Sequence, residues 1–231
     1  MLNRKARNKI ALQTNKDIIF DPTITCRDSL AECFRIFTDL AKITLTPAIR
    51  NLTRGINLET NKTTVFTDGA CMKNGKVDAK CSSGIWFGRE HRLNKAIKVP
   101  GPHQSNQVGE LIAVIATAEV TPNFLKLRIV TDSKYVIEGL TEHLPNWEIR
   151  GWIGISNTDL FKRAVYLLKT RMAPTIFKWI KGHAGFLGNE ESNTLAKEGA
   201  QKDTPDTISL NIPNDFIFFF FLKNLYSGYN S

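Results

Sequence analysis

The spacing of apolar residues changes repeatedly between residues 63 and 202, from runs typical of buried strands to the three- and four-residue spacing of helices. This pattern predicts strands at 63–68, 84–89, 95–99, 126–132 and 175–180, and helices at 108–120, 133–141, 159–171 and 189–202. Three strands come first, followed by a helix, a strand, two helices, a strand and a last helix. The order predicts an α/β fold in which helices cover the faces of a sheet.

The two flanks differ from this central region. Residues 1–20 are polar and basic and predict no element, whereas 29–43 has the apolar spacing of one amphipathic helix that begins with Ser29-x-x-Glu32, a capping box. The run Phe216–Leu222 would be an aggregation liability if it were exposed. We therefore divide the chain into an N-terminal extension (1–62), a domain (63–203) and a C-terminal tail (204–231) that we expect to lie outside the domain.

Composition narrows the class of protein. The chain has 231 residues, of which 42% are hydrophobic, enough to build a core. Its longest apolar run, residues 216–222, is too short to span a bilayer, and the basic N-terminus lacks the apolar stretch of a secretory signal. We expect no membrane partner and an intracellular location, with nucleus and cytoplasm both open.

Charge points towards a polyanionic partner without requiring one. The net charge is +9, and residues 63–203 contain 19 basic and 14 acidic side chains, a balance of +5. The four cysteines form no C-x-x-C pair, so neither a zinc site nor a redox motif is indicated.

Two apolar strands end in the same dipeptide, Thr-Asp, at Asp68 and at Asp132. If the strands are parallel neighbours, both carboxylates lie at one edge of the sheet, where ligands bind in α/β folds. A single aspartate there is more often a turn residue or helix cap, but the repetition favours a shared site. Glu110, in an apolar helix, is either a third member or a solvated flank. Three carboxylates suit Mg²⁺ or Mn²⁺.

His183 lies between glycines in Lys181-Gly182-His183-Ala184-Gly185, directly after a predicted strand. Glycines allow the loop to move, so the imidazole could enter and leave a site for proton transfer or product release. The alternative is an ordinary surface histidine.

Taken together and in this order, five motifs closely resemble type 1 ribonuclease H over roughly residues 63–202. They are Thr67-Asp68-Gly69-Ala70-Cys71, Gly109-Glu110-Leu111, Thr131-Asp132-Ser133, Gly182-His183-Ala184-Gly185 and Asn189-Glu190-x-x-Asn193-x-Leu195-Ala196. The residues between Asn74 and Gly84 resemble an insertion found in many retroelement-linked eukaryotic members. The resemblance implies a ribonuclease H-like fold with a mixed five-stranded sheet flanked by helices.

That family hydrolyses the RNA strand of RNA–DNA hybrids with two divalent ions, leaving a 3′-hydroxyl and a 5′-phosphate. By resemblance, the partner is an RNA–DNA hybrid, the cofactor is two Mg²⁺ ions with Mn²⁺ as a substitute, and no small-molecule cofactor is expected. We expect a monomer. The residues implied are Asp68, Glu110, Asp132 and Asn193 as catalytic metal ligands, His183 as the catalytic histidine, and Asn74, Ser105, Asn106, Gln107, Trp147 and Trp152 as nucleic-acid contacts. For the two tryptophans, core packing is an equal alternative.

One position departs from the family pattern: Asn193 stands where the fourth carboxylate is expected. An asparagine keeps a carbonyl oxygen but loses a negative charge, so we expect weaker binding of a second ion, with Glu190 three residues earlier as partial compensation. The leading hypothesis is an active enzyme that requires more metal. The alternatives are an impaired relative that only binds nucleic acid, a strand-transfer enzyme of the same fold, and a protein-interaction module.

Overall fold

A computed structural model describes residues 17–20 and 62–212. The strands within these residues form one mixed sheet. Its strands are β1 (Asp17–Ile19), β2 (Lys62–Met72), β3 (Lys80–Trp86), β4 (Lys95–Lys98), β5 (Lys126–Thr131) and β6 (Thr175–Trp179). Their order across the sheet is β1-β6-β5-β2-β3-β4. The strands β2, β5 and β6 are parallel, whereas β3, β4 and β1 run antiparallel to their neighbours. The predicted α/β fold with a mixed sheet is confirmed.

The helices follow the predicted order with one addition. They are α1 (Asn106–Val120), α2 (Lys134–Glu138), α3 (Leu144–Ile149), α4 (Thr158–Lys169) and α5 (Leu187–Gln201). A π-helical turn, Gly139–His143, joins α2 to α3. The helix predicted at 133–141 is therefore too short, because the chain stays helical through the π turn and past Pro145.

The prediction of five strands was wrong, because β1 adds a sixth to the described sheet. It pairs antiparallel with β6, with Ile18 opposite Phe177, and its Asp17 forms an ion pair with Arg128. Ile18 and Phe20 are each only 2% exposed. The apolar residues Ile18, Ile19 and Phe20 form a run too short to show an alternating pattern, so this strand was not predicted.

The second predicted strand begins too late. Gly84 was its predicted start, but β3 begins at Lys80, and Cys71 lies opposite Cys81 in the ladder between β2 and β3. Ser82 and Ser83 are fully buried there although they are polar. Part of the segment interpreted as an insertion therefore belongs to the sheet, and only the 73–79 connection lies outside it.

Helices cover both faces of the sheet. The helices α1 and α4 pack together on one face, and α5 packs on the other, against β2, β3 and β4. The core between them consists of fully buried apolar side chains, among them Val65, Ile85, Ile97, Leu111, Ile115, Leu127, Ile129, Phe161 and Phe177. A rigid core of this kind fixes the strand ends at which the candidate site lies.

The helix predicted at 29–43 and the run Phe216–Leu222 lie outside the described residues, as does most of the predicted N-terminal extension. Of the predicted tail, residues 204–212 are described, and Asp206 pairs with the end of the edge strand β4: the Lys98 N–H donates to Asp206 Oδ2 (2.7 Å) and the Asp206 N–H donates to the Lys98 carbonyl (3.0 Å). Among the described helices, none is both long and apolar enough to cross a membrane.

Candidate active site

Three carboxylates from separate elements meet at one edge of the sheet. Asp68 lies within β2, and Asp132 directly follows the last residue of β5, the parallel neighbour of β2. Glu110 comes from the second turn of α1. Each of the three offers an oxygen, and these oxygens lie within 4.8 Å of one another. The parallel pairing inferred from the repeated Thr-Asp sequence is therefore present, and Glu110 faces the cluster. The prediction that the first of these strands ends at Asp68 was wrong, because β2 continues to Met72 through its pairing with β3.

Close contact between α1 and β2 places Glu110 beside Asp68. A Cβ added at Gly69 would lie 2.4 Å from the Glu110 backbone nitrogen, so only glycine allows the helix to approach this closely. The Ser83 hydroxyl donates to the Gly109 carbonyl (2.6 Å) and attaches the same turn of α1 to β3.

Burial and mutual repulsion make this cluster unfavourable for negative charge. Asp68 is 7% exposed and Glu110 is 5% exposed. Burial, then the Asp132 charge, raise the pKa of Asp68 to about 7, although the Gly69 N–H donates to its Oδ1 (2.8 Å). Burial, followed by Asp68 and Asp132, raises the pKa of Glu110 well above its ordinary value. A cation would relieve both effects.

The donor set fits a hard divalent cation. All three groups are carboxylates, and Glu110 Oε2 is buried without a hydrogen-bond partner among the described residues. A buried carboxylate oxygen without a donor is costly, and coordination to a metal would satisfy it. Oxygen ligands of this type favour Mg²⁺ or Mn²⁺ over zinc.

Asn193 lies on the face of α5 that is turned towards Asp68. Glu190 and Lys197, two helical turns apart, both act electrostatically on the Asp68 carboxylate, and Asn193 lies between them on the same face. Asn193 is buried, with 8% of its surface exposed. Lys197 was not predicted from the sequence, although its position four residues after Asn193 on a helix is a readable signal.

His183 lies apart from the three carboxylates, in the connection between β6 and α5. Its backbone is in the left-handed region (φ 52°), and its side chain is 76% exposed. The nearest acidic partner recorded is Glu190, with Nδ1 and Oε2 4.0 Å apart. An exposed loop position agrees with the predicted movement, but its catalytic role stays a prediction.

Four of the predicted nucleic-acid contacts surround the start of α1 and the β2–β3 connection. Ser105 caps α1, because its hydroxyl accepts from the Val108 N–H (3.3 Å). Asn106 and Gln107 are exposed in the first turn, and Asn74 is exposed in the connection. Their side chains are accessible, and their contact with nucleic acid stays a prediction.

The two predicted tryptophans occupy core positions. Trp152 is only 4% exposed, and Trp147 is half-buried against Phe161, with ring centroids 4.8 Å apart. The Trp152 N–H donates to the Trp147 carbonyl (2.8 Å), and the Gly151 N–H donates to the Glu148 carbonyl (3.3 Å). These two bonds form a Schellman motif that ends α3. The spacing between Trp147 and Trp152 is thus explained by the end of α3, and nucleic-acid binding by either ring stays a prediction.

Comparison with known proteins agrees with this geometry. Residues 60–201 match the model of the RNase H family. The match spans more than half of the chain, and the chain belongs to the RNase H family. The matched segment contains all three carboxylates, His183 and Asn193.

Relatives that match this chain include proteins named ribonuclease H1 and ribonuclease H. Human ribonuclease H1 is 34% identical over 143 residues, which cover 60% of this chain and 50% of that protein. Ribonuclease H of Nitrobacter hamburgensis is 36% identical over 145 residues, covering 59% of this chain and 89% of that protein. The chain thus spans about half the length of the mammalian relatives that it matches. The retroelement-linked form stays a prediction.

Solved structures show the same fold. A type 1 RNase H with the type 2 active-site motif has a TM-score of 0.51 and 25% identity, covering 64% of this chain and 75% of that one. A foamy viral protease-reverse transcriptase, solved in complex with dsDNA, has a TM-score of 0.50 at 22% identity, covering 63% and 98%. The second likeness concerns the fold alone.

Proposed function

We propose that this protein hydrolyses the RNA strand of RNA–DNA hybrids. The observation that carries the proposal is the cluster of Asp68, Glu110 and Asp132, with oxygens within 4.8 Å of one another at the sheet edge of an RNase H fold. Three converging carboxylates, two of them buried, have no evident purpose in a protein that only binds other proteins, because burial of like charges lowers stability.

The carboxylates would hold Mg²⁺, with Mn²⁺ as a substitute. Two ions bound there would supply Lewis-acid stabilisation of the charge that develops on the attacking and leaving oxygens. The protein's own contribution is to keep the three ligands together before any ion arrives. Glu110 enters from a helix and Asp68 from a central strand, so their separation is fixed by packing of the core.

Recognition of the hybrid would fall to the exposed polar residues at the start of α1. Asn74, Ser105, Asn106 and Gln107 carry amide and hydroxyl groups that can bond to sugars and phosphates. A hybrid displays 2′-hydroxyls on only one strand of its minor groove, so such contacts distinguish RNA from DNA without reading base sequence. We therefore expect weak sequence preference and steep loss of affinity with salt.

His183 would act as a mobile proton donor or acceptor near the leaving group. Its exposure and the flanking glycines agree with movement into the site when substrate is bound. Glu190, 4.0 Å away, would hold the imidazole in the free protein.

Asn193 supports a second candidate, an impaired relative that binds hybrids without cutting them. The position is buried on the helix face turned towards Asp68, so the missing charge would be felt at the site. We favour activity with a raised metal requirement, because the three carboxylates Asp68, Glu110 and Asp132 are in place.

The test is a cleavage assay on an RNA–DNA hybrid labelled on the RNA strand, titrated with Mg²⁺ and Mn²⁺. Wild type, Asp68→Asn and Asn193→Asp are compared, with duplex DNA of the same sequence as the control substrate. We expect metal-dependent cutting by wild type, its loss in Asp68→Asn, and saturation at lower metal concentration in Asn193→Asp.

Other outcomes separate the candidates. If wild type shifts hybrids on a gel without cutting them, while Asn193→Asp cuts, the protein is an impaired relative. If wild type cuts duplex DNA and not the hybrid, the proposed substrate is wrong. Saturation of wild type at ordinary Mg²⁺ concentrations would contradict the raised metal requirement alone.

A further inference from the structure

Asp132 differs from the other two carboxylates in how its position is fixed. Asp68 lies inside β2 and pairs with Gly84 of β3, although the ladder with β5 ends two residues earlier, at Phe66. Glu110 lies within a 15-residue helix. Asp132 is half-buried and directly follows the end of β5. The hydrogen bonds between β5 and β6 end one residue earlier, where the Ile180 N–H donates to the Thr131 carbonyl (3.1 Å). Something other than regular secondary structure must hold it.

The indole of Trp179 supplies the next attachment. Its Nε1–H donates to the backbone carbonyl of Asp132 at 3.0 Å. Trp179 is the last residue of β6, and its ring lies half-buried against the core. The ammonium of Lys134, at the start of α2, lies 4.9 Å from the centre of the same ring. The ring therefore contacts the turn at Asp132 and again at Lys134, two residues further along the chain.

Gly182 lies against the side-chain carboxylate of Asp132. A Cβ added at Gly182 would lie 2.2 Å from Asp132 Oδ2 and 3.1 Å from its carboxyl carbon. The carboxylate thus rests against the backbone of Gly182, in space that any side chain would fill. Gly182 does not adopt a positive φ. Gly185 of the same loop does, with a φ of 78°, and a Cβ added there would have nothing within 4 Å. Gly182 is needed for space and Gly185 for backbone conformation.

We propose that Trp179 and Gly182 are the positioning residues of the Asp132 carboxylate, one by holding its backbone carbonyl and the other by leaving room for its oxygens. This inference rests on the proposed function, since it takes Asp132 as a metal ligand. It assigns to the end of β6 a role separate from that of His183 in the loop that follows.

The experiment measures Mn²⁺ binding to the full chain without nucleic acid, by electron paramagnetic resonance of the free ion. The variants are Trp179→Phe, which keeps a ring and removes the N–H, and Gly182→Ala. The matched control is Trp86→Phe, another half-buried tryptophan, whose ring packs edge-to-face on Phe66 with centroids 5.7 Å apart. Urea unfolding of each variant shows that it is folded at the temperature of the titration.

Loss of one hydrogen bond to a positioning carbonyl should weaken Mn²⁺ binding roughly two- to tenfold in Trp179→Phe. Gly182→Ala should weaken it more, because the methyl group displaces the ligand itself. The control should lose stability comparably to Trp179→Phe and bind Mn²⁺ as wild type does. A purely structural role for Trp179 would lower the unfolding midpoint without changing the Mn²⁺ affinity of the folded protein.

Mn²⁺ affinity within twofold of wild type in either folded variant overturns the proposal. Hybrid cleavage by wild type is measured separately, so that the two proposals fail differently. A wild type that binds Mn²⁺ without cutting the hybrid contradicts the proposed function, and the variants still decide the positioning role through Mn²⁺ binding. A wild type that binds no Mn²⁺ overturns both.

Discussion

Replacing Asp68 with asparagine should stabilise the metal-free protein while abolishing the metal-dependent hydrolysis that we propose. The pKa of Asp68 rises from 3.8 to about 7, chiefly because the group is buried and secondly because Asp132 is close. At pH 8 the folded protein therefore holds a charge in unfavourable surroundings. A shift of this size corresponds to an upper value of about 4 kcal/mol, at about 1.36 kcal/mol per pKa unit.

The gain in Asp68→Asn should be smaller than that limit, about 1–3 kcal/mol at pH 8, because the neutral amide accepts a weaker hydrogen bond from the Gly69 N–H. Its pH dependence follows from the raised folded pKa. The folded protein binds the proton more tightly than the unfolded chain, so wild-type stability falls as pH rises from about 4 through about 7. Near pH 4 the carboxyl is protonated in the folded protein, and the variant should gain little.

Urea unfolding in EDTA at pH 4 and pH 8 measures both effects, with Asp203→Asn, an exposed carboxylate outside the cluster, as the control. Added Mg²⁺ should then stabilise wild type more than Asp68→Asn, because it binds only the folded site. An Asp68→Asn variant that is no more stable than wild type at pH 8, or that gains equally at both pH values, would refute the reasoning.

Three further predictions concern stability. Gly84→Ala should lower the free energy of unfolding by more than about 2 kcal/mol, because its Cβ would lie 1.9 Å from the Ser192 carbonyl oxygen of α5; a change below about 0.5 kcal/mol in urea unfolding would show that α5 does not pack this closely. Gly151→Ala should cost about 1 kcal/mol, because φ is 63° in the turn that ends α3, and thermal unfolding of equal midpoint would argue against that turn. Phe20→Ala should cost about 3–5 kcal/mol, since the ring is 2% exposed, and a loss under about 1 kcal/mol would contradict the burial of β1.

The candidate site was largely predictable because its residues follow strong local patterns. The two Thr-Asp sequences occur in apolar strands that are parallel neighbours, so their aspartates approach the same site. Glu110 was recognisable as a carboxylate in an otherwise apolar helix that is buried along most of its length. The tryptophans were ambiguous for a physical reason: the Gly151-Trp152 pair that follows Trp147 also satisfies the hydrogen bonds of a helix end.

The predictions that failed lacked such a pattern. The strand β1 has three residues and draws its stability from pairing with β6, some 160 residues further along the chain. The early part of β3 contains two buried serines, whose hydroxyls donate to the Ala70 and Gly109 carbonyls. Because these buried strand positions are polar, the segment lacks the apolar pattern by which a buried strand is recognised. Both depend on partners that are distant in sequence.

By itself, the sequence determined the order of most strands and helices and the residues that carry carboxylates, because apolar periodicity is a local property. Only the tertiary structure decided that three oxygens lie within 4.8 Å, that two of the carboxylates are buried, and that the chain bends at Asp132 over Gly182. These facts arise from the close approach of elements that are far apart in the chain. Packing of the whole core, rather than any local preference, sets those distances.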